Sequence, residues 1–346
     1  MQEFKKILVI RTDRIGDVVL TIPAVRALHE AFPKARITMW VAKSTSELVE
    51  GLSFVNEVIV EDTSMGWKGY WDFIKILKEK RFDLAVNYHP KRRTNSACFL
   101  AGIPVRLGYY NNKFGFFLTL PVADLRHMGK KHEAEFCLDL LRDIGVVSSD
   151  TRLELAVNAQ AEAWAEQFFK SHGLVGKKLV ALHPDASSSS KCWPAQMFGE
   201  LGARLALSEG VVPIVVGGVS ARQQLDVIGK QMDCDYHDLT GSLSMAQLVS
   251  LLRRCQLLVS NDSGPVHVSA AVGTPVISLF LRTQPGINHG RWRPLGVNSA
   301  VLLNKPGEEI VLDAECQVVG GKFDSISVDE VLAEAVRLLG SKPRAS

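Results

Sequence analysis

ILVIRTDRIGDVVLTIP, residues 7–23, is the strongest indication of the fold. It opens with an apolar run of strand length, Ile7–Arg11, which ends in a short polar loop. From Val18 to Phe32 apolar residues recur at helical spacing, with Pro23 expected in an early turn. A strand, a loop and a helix in this order begin a βαβ unit, so the stretch predicts a parallel sheet with helices on both faces.

The same alternation of short apolar runs and amphipathic segments continues along the whole chain. It predicts strands at residues 7–11, 37–41, 58–60, 84–88 and 105–109, and then at 179–183, 211–217, 257–260, 276–280 and 300–303. It predicts further helices at 159–172, 195–207, 220–231, 245–254 and 328–339. We therefore expect two doubly wound α/β domains, residues 1–155 and 156–346. Ligands of such sheets bind beyond the carboxyl ends of the strands, which makes a cleft between the domains the expected site.

Composition excludes several classes of protein. The 346 residues are 47% hydrophobic and 22% charged, as in ordinary globular proteins with room for two cores. The net charge of +3 is too small to predict a nucleic-acid partner. The six cysteines are scattered without a C-x-x-C pair, so no zinc ribbon or disulfide framework is expected. With no membrane-spanning apolar run and no signal peptide, the expected location is the cytoplasm, and any membrane contact is peripheral.

The loop Arg11–Asp17 follows the first strand directly and holds two carboxylates and two arginines. Its single glycine, Gly16, does not make the G-x-G-x-x-G pattern, which argues against a nicotinamide oxidoreductase. Two interpretations stay open. Asp13 or Asp17 caps the following helix, or one of them is a general base at the cleft.

A second loop, His183–Pro194, reads HPDASSSSKCWP and joins a strand to a helix. Its serines and Lys191 are typical of a loop that binds a phosphate beside a helix start. The alternative is a flexible polar loop without a ligand.

A third loop, Ser260–His267, reads SNDSGPVH and leads into a helix of small residues. Asp262 or Ser263 can cap that helix, and Gly264 allows a ligand to approach the backbone closely. The positive end of the helix favours a diphosphate. The alternative is an ordinary capped helix in which His267 is a core residue.

The first domain also contains three basic clusters, Lys91-Arg92-Arg93, Arg126-His127 and Lys130-Lys131-His132. They are either solvated surface or a binding surface for an anionic acceptor or an anionic membrane. A D-x-D sequence, Asp233–Asp235, precedes a weak strand near Tyr236. It therefore lies at the amino end of a strand, away from the expected cleft, and no metal site is expected there.

Together these loops resemble glycosyltransferase family 9, the ADP-heptose:lipopolysaccharide heptosyltransferases. The resembling segments are Ile7–Pro23, His183–Pro194, Leu239–Gly241 and Asn261–Pro275 (NDSGPVHVSAAVGTP). The resemblance implies a GT-B-like architecture, in which two Rossmann-like domains face a central cleft. It implies an acceptor-binding first domain and a donor-binding second domain. It also allows the last helix of the second domain to pack back on the first domain. It also implies peripheral contact with the cytoplasmic face of the inner membrane.

The activity implied by the resemblance is inverting transfer of a heptose from ADP-heptose to a lipopolysaccharide inner-core sugar, without metal or cofactor. Asp17 matches the proposed catalytic base, and Lys191 matches the lysine beside the donor phosphates. The other implied donor contacts are Asp262, Ser263, Gly264, His267, Gly16, Gly217, Gly218 and Thr283. The candidate acceptor contacts are Lys91, Arg92, Arg93, Lys130 and Lys131.

The sequence departs from the family pattern at several donor positions. Asp185 stands where the H-P-G-A motif has glycine, and Cys192 interrupts the K-R-W-P variant. Val219, Ser220 and Ala221 follow Gly217-Gly218, where the family often has an acidic residue two positions on, and Leu281-Arg282 replaces the start of G-P-T-D-P. Two alternatives therefore stay open: a related transferase with another donor sugar, and a sugar-nucleotide-binding protein without catalytic activity.

Overall fold

The computed structural model describes residues 3–60, 66–110, 114–186, 192–282, 284–304, 310–312, 318–321 and 326–340. The chain divides into two compact units, Met1–Ala156 and Val157–Ser346. This division lies next to the boundary expected after residue 155. Among the described residues, every helix is too short or too polar to cross a lipid bilayer.

The first unit is a six-stranded sheet with helices. Its strands are β1 (Lys6–Arg11), β2 (Arg36–Val41), β3 (Glu57–Val60), β4 (Leu84–Asn87), β5 (Val105–Tyr110) and β6 (Leu120–Ala123). Its helices are α1 (Ile15–Ala31), α2 (Gly66–Lys80), α3 (Arg92–Leu100) and α4 (Glu133–Leu140). The strand order is β3-β2-β1-β4-β5-β6, and all neighbouring pairs are parallel.

The second unit repeats this plan. Its sheet contains β7 (Lys178–His183), β8 (Val211–Val215), β9 (His237–Asp238), β10 (Leu257–Asn261), β11 (Val276–Phe280) and β12 (Ser299–Leu303) in the order β12-β11-β10-β7-β8-β9. A separate hairpin pairs β13 (Ile310–Leu312) with β14 (Val318–Gly321). The helices are α5 (Ala159–Ser171), α6 (Ala195–Glu209), α7 (Leu225–Gln231), α8 (Met245–Leu252), α9 (Gly264–Ala271), α10 (His289–Trp292) and α11 (Val328–Gly340).

The central strands of both sheets are buried on both faces, as their continuous apolar sequences require. In the first, Val9 of β1 is in register with Met39 and Val86 on its two sides. In each sheet the strand order reverses once, between β1 and β4 and between β7 and β10. Ligands of doubly wound sheets bind at such switch points, beyond the carboxyl ends of the strands. The loops that follow these four strands are therefore the places to look for a site.

Some local expectations need correction. The first helix begins at Ile15, earlier than the expected Val18, so Pro23 lies inside the helix and not in an early turn. The helix of small residues begins already at Gly264. The last helix, α11, packs against α6 and contributes Val331 to the core of the second unit. The family resemblance allowed this helix to pack back on the first domain, whereas its buried face contributes to the core of the second unit.

Candidate active site

The first candidate site surrounds Arg11, the last residue of β1. Its side chain is 1% exposed and forms ion pairs with three carboxylates. The Nε atom lies 2.9 Å from Asp13 Oδ1, while Nη2 contacts Asp17 Oδ1 and lies 3.0 Å from Glu133 Oε1. Burial alone opposes the charge on Arg11, but the three carboxylates raise its pKa well above the ordinary value. Arg11 is therefore a fixed cation that holds together acids from distant parts of the chain.

Glu133, the first residue of α4, brings a second arginine into this network. Its side chain is fully buried, and its Oε1 atom also lies 3.3 Å from Nη1 of Arg126. Arg126 in turn donates to both carboxylate oxygens of Asp124, each at 2.8 Å. The carbonyl oxygen of Tyr88 accepts from Arg11 at 3.4 Å and from Arg126 at 3.3 Å. We call these residues (Arg11, Asp13, Asp17, Tyr88, Asp124, Arg126 and Glu133) the Arg11 network.

Negative charge is in excess within the Arg11 network, because four carboxylates face two guanidinium groups. The consequence is visible at Asp13. Burial raises the pKa of Asp13 to about 6, and Asp17 and Glu133 add to the rise, although Arg11 opposes it. The network therefore gains or loses a proton close to neutral pH.

His89 borders the network from the loop after β4. Its Nδ1 lies 3.1 Å from Thr12 Oγ1, which joins the loops that follow β1 and β4 at the switch point. Burial, together with the charges of Lys91 and Arg11, lowers the pKa of His89 to about 4. His89 is therefore neutral at pH 7 and does not balance the excess negative charge.

Asp17 lies in the first turn of α1, beyond the carboxyl end of β1. Its side chain is 16% exposed, and the Thr21 hydroxyl donates to its backbone carbonyl at 2.8 Å. The N-cap residue of α1 is Arg14, so neither Asp13 nor Asp17 occupies the cap position that one interpretation gave them. A carboxylate in the first helical turn still interacts favourably with the helix dipole.

The raised pKa of Asp13 predicts a pH-dependent stability. Between about pH 4 and pH 6 the folded protein keeps a proton on Asp13 that the unfolded chain has released, so this group lowers stability as pH rises through that window. We expect Asp13→Asn to remove this contribution. In urea unfolding, the stability of the variant relative to wild type should increase from pH 4 to pH 7, by about 1–3 kcal/mol. A difference that stays constant with pH would contradict the raised pKa.

In the second unit, His183 lies at the end of β7 and joins two loops at the other switch point. Its Nδ1 is 3.1 Å from Ser260 Oγ and 3.2 Å from Ser263 Oγ. Burial lowers the pKa of His183 to about 4, against the attraction of Asp185. The histidine is therefore a neutral, hydrogen-bonded support for the loop at the start of α9.

Asn261 fixes the same loops from the other side. Its side chain donates to the carbonyl of Pro184 at 2.7 Å and accepts from the backbone amide of Trp193 at 2.8 Å. The buried Trp193 indole donates to the carbonyl of Ile326 at 2.9 Å. Both ends of the serine-rich loop are thus anchored, while Lys191 itself lies outside the described residues, as does Thr283.

Asp185 and Ser220, two residues at departures from the family pattern, interact with each other. The Ser220 hydroxyl donates to Asp185 Oδ2 at 2.6 Å. A Cβ atom on Gly217 would lie 2.6 Å from Cβ of Ala221, so a larger residue does not fit at Gly217 without movement. A Cβ atom on Gly218 would lie 3.4 Å from Asp185 Oδ2. Asp185 therefore places a carboxylate beside Gly217-Gly218, on the loop that follows β7.

The other donor candidates in this unit cluster at the start of α9. Ser263 is the N-cap residue, and Gly264 begins the helix. Asp262 is partly buried, and its backbone amide donates to the carbonyl of Leu279 at 3.0 Å. His267 is 2% exposed, and its ring centre lies 6.3 Å from that of Trp292. Gly16, in contrast, belongs to α1 of the first unit.

The basic clusters of the first unit differ from one another in exposure. Lys91 and Arg92 are exposed at the start of α3, and Lys130 and Lys131 are also exposed, the latter in an ion pair with Asp139. Arg93 is partly buried, with its guanidinium 4.6 Å from the centre of the Tyr70 ring.

Two members of these clusters are not surface residues at all. Arg126 is buried in the Arg11 network, and the buried His132 caps α4 by accepting from the Ala134 amide. Neither the solvated-surface interpretation nor the acceptor-surface interpretation therefore applies to them.

Comparison with known proteins identifies the family of this chain. Residues 70–319 match the family model of glycosyltransferase family 9 (heptosyltransferase). The chain is 26% identical over 291 residues to the lipopolysaccharide core heptosyltransferase OpsX of Haemophilus influenzae, covering 81% of this chain and 82% of that protein.

Two solved structures share the fold. The crystal structure of a family 9 glycosyl transferase from Veillonella parvula has a TM-score of 0.83 and 24% identity, covering 97% of both chains. Escherichia coli ADP-heptose lps heptosyltransferase II has a TM-score of 0.79 and 22% identity, covering 96% of this chain and 98% of that one. The α/β fold is therefore GT-B-like, as expected from the sequence. Because the family match covers most of the chain, the protein is a glycosyltransferase that belongs to glycosyltransferase family 9.

Proposed function

We propose that this enzyme transfers a heptose from ADP-heptose to a sugar of the lipopolysaccharide inner core, with inversion at the anomeric carbon. The observation that carries the proposal is the Arg11 network. It holds the Asp17 carboxylate at the carboxyl end of β1, beside the switch point of the sheet. The named activities of the relatives support the choice of donor and acceptor.

Inversion requires a single displacement. An acceptor hydroxyl attacks the anomeric carbon while the bond from that carbon to the diphosphate oxygen breaks, and ADP leaves. The sugar becomes oxocarbenium-like, as in glycoside hydrolysis. Asp17 takes the proton of the hydroxyl as general base. Arg11, pinned by Glu133 and the Tyr88 carbonyl, keeps the carboxylate oriented and does not itself meet the substrate.

The departing diphosphate gains negative charge, which the second unit is suited to stabilise. The start of α9 supplies backbone N–H groups and a positive helix end at Ser263 and Gly264. Lys191 is assigned to the same diphosphate on the strength of the family motif. Asp185 would repel a phosphate, so we assign it to a hydroxyl of the ribose or of the donor sugar.

Donor binding tests this assignment. Calorimetric titration with ADP-heptose, other ADP-sugars, UDP-sugars and GDP-sugars should show the tightest binding for ADP-heptose. Tighter binding of another nucleotide or sugar would favour the related transferase with a different donor.

Lys91 and Arg92, the exposed cations at the start of α3, are proposed acceptor contacts. Since inner-core sugars carry phosphates or carboxylates, the double substitution Lys91→Ala and Arg92→Ala should raise the acceptor KM by roughly two- to tenfold at low salt. The effect should fade as salt screens exposed charges over about 8–10 Å. Lys34→Ala is the control, because Lys34 precedes β2 and so lies at the opposite, amino end of the strands. An unchanged acceptor KM at low salt would show that Lys91 and Arg92 are solvated surface residues and not acceptor contacts.

A further inference from the structure

Helix α2 exposes two tryptophans to solvent. Trp67 is 79% exposed and Trp71 is 46% exposed. They are four residues apart, so they lie on one side of the helix, at the margin of the side on which Phe73, Ile74 and Leu77 pack into the core. The core of this unit does not need the two indoles, and exposing them to water is unfavourable.

The surroundings of the two tryptophans are strongly basic. Residues 66–100 contain eight lysines and arginines against three acids, a net charge of +5, whereas the whole chain has +3. Lys68 is exposed in the first turn of α2 beside Trp67, and Lys91 and Arg92 are exposed at the start of α3. Indoles beside cations are the combination that binds the interface of an anionic bilayer.

This surface is tied to the candidate active site by a chain of contacts. The Tyr70 ring lies next to Trp71, and its hydroxyl is 2.7 Å from Ser96 Oγ on α3. Both α2 and α3 begin beyond the carboxyl ends of strands, at the same end of the sheet as Asp17. At that same end of the sheet, His89 contacts the loop after β1.

We propose that Trp67 and Trp71, with the basic residues at the starts of α2 and α3, form a docking surface for an anionic lipid bilayer. The indoles enter the headgroup region and the cations bind lipid phosphates. Docking at this end of the sheet brings the membrane that carries a lipid-linked acceptor close to Asp17. The functional part of this statement depends on the proposed lipopolysaccharide acceptor, but bilayer binding itself does not.

The test compares wild type with the double variant Trp67→Ser and Trp71→Ser in vesicle flotation. Vesicles of phosphatidylethanolamine with phosphatidylglycerol should bind the wild type, and vesicles of phosphatidylcholine alone should bind it weakly. The double variant should lose about tenfold or more of its binding. Val147→Ser is the matched control, because Val147 is 72% exposed in the same unit and lies outside α2 and α3.

A second readout separates this proposal from the proposed function. With a lipid-embedded acceptor the double variant should turn over more slowly, whereas with a soluble core oligosaccharide it should match wild type. If no acceptor is turned over, the proposed function fails, while the flotation result still decides the docking surface. Equal flotation of wild type and double variant would overturn the docking surface. The docking surface would also be overturned if the double variant no longer self-associated in lipid-free sedimentation but still bound vesicles as the wild type does.

Discussion

Asp17→Asn is expected to lower turnover by about 10²–10⁴-fold, the usual contribution of a general base. The amide keeps the shape of the side chain and still accepts a hydrogen bond from Arg11, but it cannot take a proton from the acceptor hydroxyl. Single-turnover kinetics with bound donor measure the effect directly. Donor affinity and the thermal midpoint should change little.

Asp13→Asn is the matched control for this experiment, since Asp13 pairs with the same guanidinium and has similar exposure. If Asp13→Asn lowers turnover as strongly as Asp17→Asn, the base assignment is wrong. Unchanged turnover in the bound state, with weaker donor binding or lower stability, would make Asp17 a structural or donor contact.

Glu133→Ala is expected to have the largest effect on stability, about 2–4 kcal/mol, because the buried Arg11 and Arg126 each lose a charge-assisted hydrogen bond and the truncation leaves a cavity. Arg11 keeps Asp13 and Asp17, and Arg126 keeps Asp124, so the positive charges lose only their common partner. Urea unfolding measures the loss. Asp143→Ala, at an exposed position in the same unit, should be nearly neutral.

Glu133→Gln separates the positioning role of Glu133 from its structural one. The amide fills the same space and should recover part of the stability, yet it pairs only weakly with Arg11. Turnover should therefore stay below that of wild type in a protein that is folded, while the donor KM is unchanged. Full activity of Glu133→Gln would show that the link from Glu133 through Arg11 to Asp17 has no role in the reaction.

Most strands of each sheet could be predicted from local sequence because they are buried and appear as unbroken apolar runs. Strand β6 was missed because it is a short edge strand whose residues alternate between partly buried and exposed. Helix α2 was not among the predicted helices although it is strongly amphipathic, with Phe73, Ile74 and Leu77 buried. Helix α4 was missed because its cap is His132, which is not one of the usual capping residues.

The candidate site was predictable only in its local part. Asp17 follows a strand directly and belongs to a recognisable motif. Glu133 is 122 positions from Arg11 in the sequence, and nothing near it indicates that its carboxylate is buried. Arg126 looked like a surface cation because its partners, Asp124 and Glu133, are brought to it by the fold. Long-range pairing of charges is not visible in composition or periodicity, so a structure was needed to find it.

The most direct measurement is the reaction itself. The purified enzyme is incubated with ADP-heptose of defined anomeric configuration and a heptose-deficient inner-core acceptor, and the product is analysed by mass spectrometry and NMR. We predict that the acceptor gains one heptose, that ADP is released in equal amount, and that the new linkage has the opposite anomeric configuration to the donor. An enzyme that binds ADP-heptose without transferring it, or a product that retains the donor configuration, would contradict the account.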